Sequence, residues 1–192
     1  MGKPVVSLDE GRTEADALLA ASDCIADRDT VAAVYDRMAR DIAACYGSTP
    51  IDVLCVMSGG LFATAELLKR LSMPIRLDYL HATRYRGGTS GHDLVWKVLP
   101  GAALARRHVL LIDDILDEGY TLQAICATLQ EQAVSSLRVA VLADKRHDRR
   151  VAAATADFVG LEVPDRYVFG CGMDVHGYWR QLPEIRALKE DA

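Results

Sequence analysis

Residues 108–122, HVLLIDDILDEGYTL, set four acidic side chains, a glycine and a threonine behind one apolar run. Residues 109–112 fit a strand buried on both faces, and that strand would carry Asp113 and Asp114 to its own carboxyl tip. Paired carboxylates at a strand end suit vicinal hydroxyls, a divalent cation, or both. Asp117, Glu118, Gly119, Tyr120 and Thr121 then lead into a helix whose Leu122, Ile125, Cys126 and Leu129 share one apolar face. The first turn of such a helix offers free N–H groups to an anion. Gly119 lets the backbone approach a phosphate, and Thr121 can add a hydroxyl from the cap position. A phosphorylated sugar with a free diol satisfies both halves of this loop.

Two common phosphate motifs are absent: neither GxxxxGK[ST] nor GxGxxG follows a strand. The 192 residues are expected to form a single α/β domain over residues 1–192, with a core at about 30–160. A formal net charge of -5 argues against a nonspecific nucleic-acid binder, so any phosphate site must be local. No apolar run approaches bilayer length and the first ten residues hold no secretory core, so no membrane partner and a cytoplasmic location are expected. Five cysteines without a CxxC pair are poor material for a disulfide framework or zinc site, and most are expected to be buried. The scattered histidines give a transition-metal centre little support, leaving magnesium brought in with a substrate as the expected metal.

The supporting elements follow from periodicity and punctuation. Residues 1–27 are expected to be a loosely packed arm with a short helix. A helix capped by Asp29 or Thr30 should bury Val31, Val34, Tyr35, Met38 and Ile42 and stop at Gly47, with Asp36, Arg37, Arg40 and Asp41 on a solvated face. Residues 51–57 form a second buried strand, followed by Ser58-Gly59-Gly60 and a helix, again an anion-ready turn. Alternation marks strands at 75–79 and 93–98, joined by HATRYRGGTSG. Residues 137–143 are a further apolar strand ending in Asp144, Lys145, Arg146 and His147, a charge run of the kind usually solvated. Residues 157–163 suit one more strand, and Leu182, Ile185 and Leu188 a short amphipathic tail.

The order apolar run, Asp-Asp, two apolar residues, Asp, any residue, Gly, any residue, Thr resembles the phosphoribosyl pyrophosphate (PRPP) signature of the type I phosphoribosyltransferases. The stretch from Pro164 to Arg180, PDRYVFGCGMDVHGYWR, resembles the C-terminal hood of the hypoxanthine-guanine members. Together these likenesses span residues 51–180. They imply a parallel sheet flanked by helices, a mobile flap, and a small hood built from the N-terminal arm and residues 161–192.

The resemblance also implies roles. Asp113 and Asp114 would meet the ribose hydroxyls and magnesium, while residues Asp117, Glu118, Gly119, Tyr120 and Thr121 would hold the 5-phosphate. Asp117 would move a proton at N7 of a purine. Ser58, Gly59, Gly60 and Arg180 would hold pyrophosphate, in a turn whose small residues permit a cis peptide. Lys145 would donate to the exocyclic oxygen of a 6-oxopurine, Tyr167 would stack on the base, Val168 would read its edge through backbone atoms, and Asp174 would join the magnesium shell near the purine. Arg84 and Tyr85 stand at the flap tip. Ser58 and Glu118 replace the Lys and Thr of many relatives, and Glu118, so close to a phosphate, is expected to point outward. The implied reaction is magnesium-dependent transfer of phosphoribosyl from PRPP to hypoxanthine or guanine, in a homodimer or homotetramer. Transfer to another base such as xanthine, or a non-catalytic PRPP sensor, are the alternatives.

Overall fold

The computed structural model describes residues 8–84 and 94–190. In chain order its elements are α1 (Leu8–Ala20), β1 (Ser22–Ala26), α2 (Arg28–Tyr46), β2 (Ile51–Val56), α3 (Gly60–Leu68), β3 (Ile75–Arg84) and β4 (Leu94–Val98). They continue with β5 (His108–Leu116), α4 (Tyr120–Gln130), β6 (Ser136–Lys145), β7 (Phe158–Val163), β8 (Val168–Phe169) and β9 (Ile185–Leu188). Among the described residues no helix is long and apolar enough to cross a membrane.

A six-stranded sheet in the order β4-β3-β2-β5-β6-β7 forms the centre. All of its pairings are parallel except that of the edge strand β4 with β3. The alternation within β5 explains why it lies in the middle. Leu110 and Ile112 enter the core shared with α2 and α3, where they meet Met38, Ile42 and Leu67. Val109 and Leu111 enter the opposite core with Leu122, Ile125 and Leu129 of α4. These four β5 side chains are fully buried, and each large one contributes about 1.5–3 kcal/mol relative to exposure.

The chain ends form a second, three-stranded antiparallel sheet in the order β1-β9-β8. Residues 22–26, expected within a loose arm, are therefore a strand, and the expected tail is its partner β9. Side chains fasten the two ends together. Arg166 pairs with Asp23 at 2.6 Å, Arg186 donates to Ser22 Oγ at 2.8 Å, and the Trp179 indole donates to the Ala15 carbonyl at 2.7 Å.

Several local expectations change. Helix α2 starts two or three residues earlier than expected, with Asp27 as the cap accepting from the Thr30 N–H at 2.8 Å. Its polar face is exposed as expected, and two of its residues also reach neighbouring elements: Asp36 pairs with Arg70 at 2.6 Å, and Arg37 donates to the Val159 and Gly160 carbonyls. Only Cys55 and Cys171 are buried; Cys24 and Cys45 are exposed. Strands β3 and β6 run longer than their apolar runs, because pairing continues into polar residues, and β6 reaches Lys145 through its register with β7.

Candidate active site

Beside β2 and β5 the connections diverge. β2 runs through α3 to β3 on one side, and β5 runs through α4 to β6 on the other. The carboxyl ends of β2 and β5 thus flank a topological switch point, where open α/β sheets bind ligands. Two adjoining recesses lie there. The larger, of about 430 Å³, is lined by Gly59, by Asp113 and Asp114, by loop 117–121 and by Arg149. The smaller, of about 220 Å³, carries Lys145, Tyr167, Val168, Met173 and Asp174, and shares Asp114, Ile115 and Asp117 with the first.

β5 continues through both carboxylates, with Asp113 paired in register with Val141. The Asp114 N–H donates to Asp113 Oδ1 at 2.9 Å, and the Ile115 N–H to Asp114 Oδ1 at 2.8 Å. Burial, reinforced by the neighbouring Asp114 charge, pushes the Asp113 carboxyl well above the usual range. Burial also raises Asp114, against the opposing hydrogen bonds and the charge of Arg180. A pair so placed favours a cation, and two hard oxygen donors fit magnesium that keeps its remaining ligands from water and a phosphate-bearing substrate.

The loop to α4 corrects one expectation. Gly119 is the cap residue, in a left-handed conformation with φ 85°, and Thr121 lies in the first turn beyond it. A side chain at 119 would also collide with Ala154, because residues 146–154 fold back against this loop. The Val151 N–H holds the Glu118 carbonyl at 3.0 Å. Glu118, expected to point outward, is instead half-buried among the residues lining the larger recess. No acidic residue occupies the first turn of α4, which leaves its N–H groups suited to an anion.

Across the switch point, the Met57–Ser58 peptide is cis, as the small-residue turn allows. A Cβ on Gly59 would overlap the Asp114 carboxylate, and one on Gly172 would overlap the Gly59 carbonyl. The turn and the hood therefore meet at the carboxylate pair. Arg180 donates to the Gly172 carbonyl at 2.6 Å and pairs with Asp174, whose other oxygen accepts the Gly177 N–H at 2.8 Å. This places Arg180 beside the Ser58-Gly59-Gly60 turn through Gly172 and commits much of Asp174 to hood structure.

Asp117 projects between the recesses. Lys145 Nζ donates to its Oδ2 at 2.7 Å, and His147 Nε2 lies 2.7 Å from its Oδ1. Burial alone would raise this carboxyl, but the bonds and charges of Lys145 and then His147 overcome it and hold Asp117 below the usual range. Tyr167 is half exposed over the smaller recess, while Val168 and Phe169 are buried in β8. Residues 81–84 of the connecting segment expected as the flap belong to β3, which ends at Arg84, and Tyr85 with the rest of that segment through Gly91 lies outside the described residues.

Three residues of the site were not expected. His147 and Arg149 belong to the charge run after β6, the latter lining the larger recess while paired twice with Asp165 at 2.7 Å. Arg150 donates to the carbonyls of Leu116 at 3.2 Å, Asp117 at 3.2 Å and Lys145 at 2.7 Å, and pairs with buried Asp144. It ties the ends of β5 and β6 together. The density of basic residues from 145 to 150 was the available signal, but charge runs are more often solvated.

Comparison with known proteins agrees with this geometry. The phosphoribosyl transferase domain model matches residues 22–176. The hypoxanthine-guanine phosphoribosyltransferase of Staphylococcus epidermidis is 35% identical over 160 residues, covering 82% of this chain and 88% of the relative. Its counterpart in Staphylococcus aureus is 34% identical over 148 residues, covering 76% and 82%. Among solved structures, a hypoxanthine phosphoribosyltransferase from Staphylococcus aureus superposes with a TM-score of 0.84 at 26% identity, over 96% of this chain and 98% of that one. With the switch-point recesses and this agreement over most of its length, the chain belongs to the phosphoribosyltransferase family, in its hypoxanthine-guanine branch.

Proposed function

We propose that this chain is a purine-salvage enzyme that transfers the 5-phosphoribosyl group of PRPP to N9 of hypoxanthine or guanine and releases pyrophosphate. The observation that carries the reading is the Lys145–Asp117 pair at 2.7 Å, set in the recess that also holds Tyr167 and Val168. Lys145 is suited to donate to a 6-oxo group, Tyr167 to stack on the ring, and backbone atoms of Val168 to meet its edge. Adenine presents an amino group where Lys145 needs an acceptor, and an unpaired buried donor costs about 1–3 kcal/mol.

On the other side of the loop, the first-turn N–H groups of α4 and Gly119 would take the 5-phosphate. The Ser58-Gly59-Gly60 turn and Arg180 would take pyrophosphate, Arg180 exchanging Asp174 for the ligand. Asp113 and Asp114 would face the ribose hydroxyls and hold magnesium, with Asp174 close to its shell. When bound, magnesium supplies the positive charge that offsets repulsion between these acids and the pyrophosphate oxygens. As the C1–oxygen bond to pyrophosphate breaks and N9 bonds C1, the purine ring gains positive charge and its N7–H becomes acidic. Asp117, ionised and facing the base recess, accepts that proton. A weak base suffices because the donor is strengthened by the same step. Arg84 and Tyr85 would belong to a flap that excludes water from the cationic sugar.

Leu61, Leu77 and Tyr79 are exposed on one face beside the partly buried Leu68, close to the pyrophosphate turn. Such an apolar face suits a second copy of the chain, supporting a homodimer or homotetramer.

The test supplies hypoxanthine, guanine, xanthine and adenine separately with PRPP and magnesium. Nucleotide should form from the first two and not from adenine. Asp117→Asn should turn over about 100-fold more slowly while PRPP affinity is retained. Reaction with xanthine alone would remove the base assignment, and PRPP binding without any product would replace the enzyme by a sensor.

A further inference from the structure

Asp117 has two side-chain partners, and base binding engages only one of them. Lys145 holds Oδ2 and His147 holds Oδ1. The second ring nitrogen of His147, Nδ1, accepts the backbone N–H of Arg149 at 3.0 Å. A neutral imidazole carries one proton, so an acceptor at Nδ1 places that proton on Nε2. His147 is thus fixed by the chain as a donor to Asp117, and its side chain is only 2% exposed.

We propose that His147 is a positioning residue for proton transfer, keeping the Asp117 carboxylate aligned after Lys145 has turned to the base. This inference rests on the reading of Asp117 as the proton acceptor. In the free protein both carboxylate oxygens are engaged. When a 6-oxopurine recruits Lys145, Oδ2 is released, and Oδ2 is the oxygen available to meet N7–H. The terminal torsion of an aspartate is broad, so a carboxylate held by nothing else would rotate freely. His147 prevents this by retaining Oδ1. The arrangement follows the general logic in which a base is oriented by a third group, here with a histidine orienting a carboxylate. The Arg149 N–H fixes the imidazole, the imidazole fixes the carboxylate, and Lys145 remains free to exchange partners.

Two substitutions separate the halves of this relay. In His147→Asn the side-chain oxygen can still accept from the Arg149 N–H, but the side chain stops short of Asp117. In His147→Gln the amide nitrogen occupies the place of Nε2 and can donate to Asp117, while the acceptor for Arg149 is lost. Single-turnover nucleotide formation would be measured with saturating PRPP, magnesium and hypoxanthine, in the wild-type and Asp117→Asn backgrounds. His147→Asn should slow the step about 10-fold with PRPP and hypoxanthine affinities nearly unchanged, and His147→Gln should recover most of the rate. In the Asp117→Asn background, His147→Asn should add no further loss.

Equal loss in the Gln and Asn variants would overturn the proposal, as would an undiminished effect of His147→Asn without the Asp117 carboxylate. If Asp117→Asn alone kept the full rate, the proton-acceptor reading would fall first and this inference with it. Thermal unfolding of each variant would separate a loss of fold from a loss of alignment.

Discussion

At the amino end of the central sheet, Asp52 of β2 is 2% exposed and bound by Arg76 and by Arg107, the latter at 2.5 Å. At the carboxyl end, Asp113 and Asp114 of the neighbouring strand are partly buried and line the larger recess. Among the described residues, neither accepts a hydrogen bond from a Lys or Arg side chain. Burial raises the Asp52 carboxyl, but the hydrogen bonds of Arg107 and Arg76 reverse the effect and leave it low. Burial raises Asp113 and Asp114, and no comparable partner reverses it. One end neutralises its acid with its own arginines. The other leaves charge demand open to an incoming ligand, and maintaining that openness has a cost in the free protein.

The most severe way to disturb the open end is to crowd it. Gly59 has an ordinary helical φ of -62°, so alanine suits its backbone, yet the added Cβ would overlap the Asp114 carboxylate. A carboxylate can rotate away, which makes the conflict one of function more than of folding. Gly59→Ala should weaken binding of PRPP with magnesium about 100-fold, or about 2.7 kcal/mol, with little change in melting temperature. Titration calorimetry beside thermal unfolding checks both parts, and a large melting shift with unchanged affinity would contradict the functional account of this glycine.

The open end was also the part most legible in the sequence, because its residues are contiguous. Residues 109–121 announce a buried strand, an acidic tip, a glycine and a helix without knowledge of any partner. The closed end was not legible: Asp52, Arg76 and Arg107 start or precede three different strands and meet only through the registers of β2 with β3 and β5. His147 was missed for a similar reason. It lies 30 residues from Asp117, and the pairing of Leu116 with Asp144 brings the two strand ends level. The hood sheet joins β1 to β9 from opposite ends of the chain, so the short segment Ser22–Ala26 gave no sign of its partner. Tyr167, Val168 and Phe169, by contrast, read by themselves as core and were apportioned only through the family resemblance; the structure buries Val168 and Phe169 and leaves Tyr167 half exposed.

Asp52→Asn tests the closed end. The variant keeps the side-chain size and one acceptor but removes the charge facing two guanidinium groups. Arg76 and Arg107 are 46% and 39% exposed, so water can solvate them after the change. The loss should therefore be about 2 kcal/mol, below the full penalty of an abandoned buried ion, with activity at saturating substrate unaltered. A urea midpoint measures it. The folded carboxyl titrates below its unfolded value, so this contribution is present above about pH 4 and is lost as pH falls through the lower folded pKa. The variant and wild type should converge in stability in acid.

Asp113→Asn should show the opposite slope, with a smaller effect. The Asp113 carboxyl titrates above its unfolded value, so the folded state holds its proton more tightly. Its contribution to stability is full below about pH 4 and is lost as pH rises through the raised folded pKa. An asparagine there has the shape of the protonated acid and no charge to repel Asp114. Without PRPP or magnesium, Asp113→Asn should match wild type in mild acid and exceed it by about 1 kcal/mol near pH 8. With PRPP and magnesium the order should reverse, because the ligand stabilises the protein that binds it more tightly. Urea unfolding at the two pH values, with and without ligand, gives four comparisons. A variant no more stable than wild type near pH 8 without ligand would mean that the carboxyl end is balanced internally after all, like the end that holds Asp52.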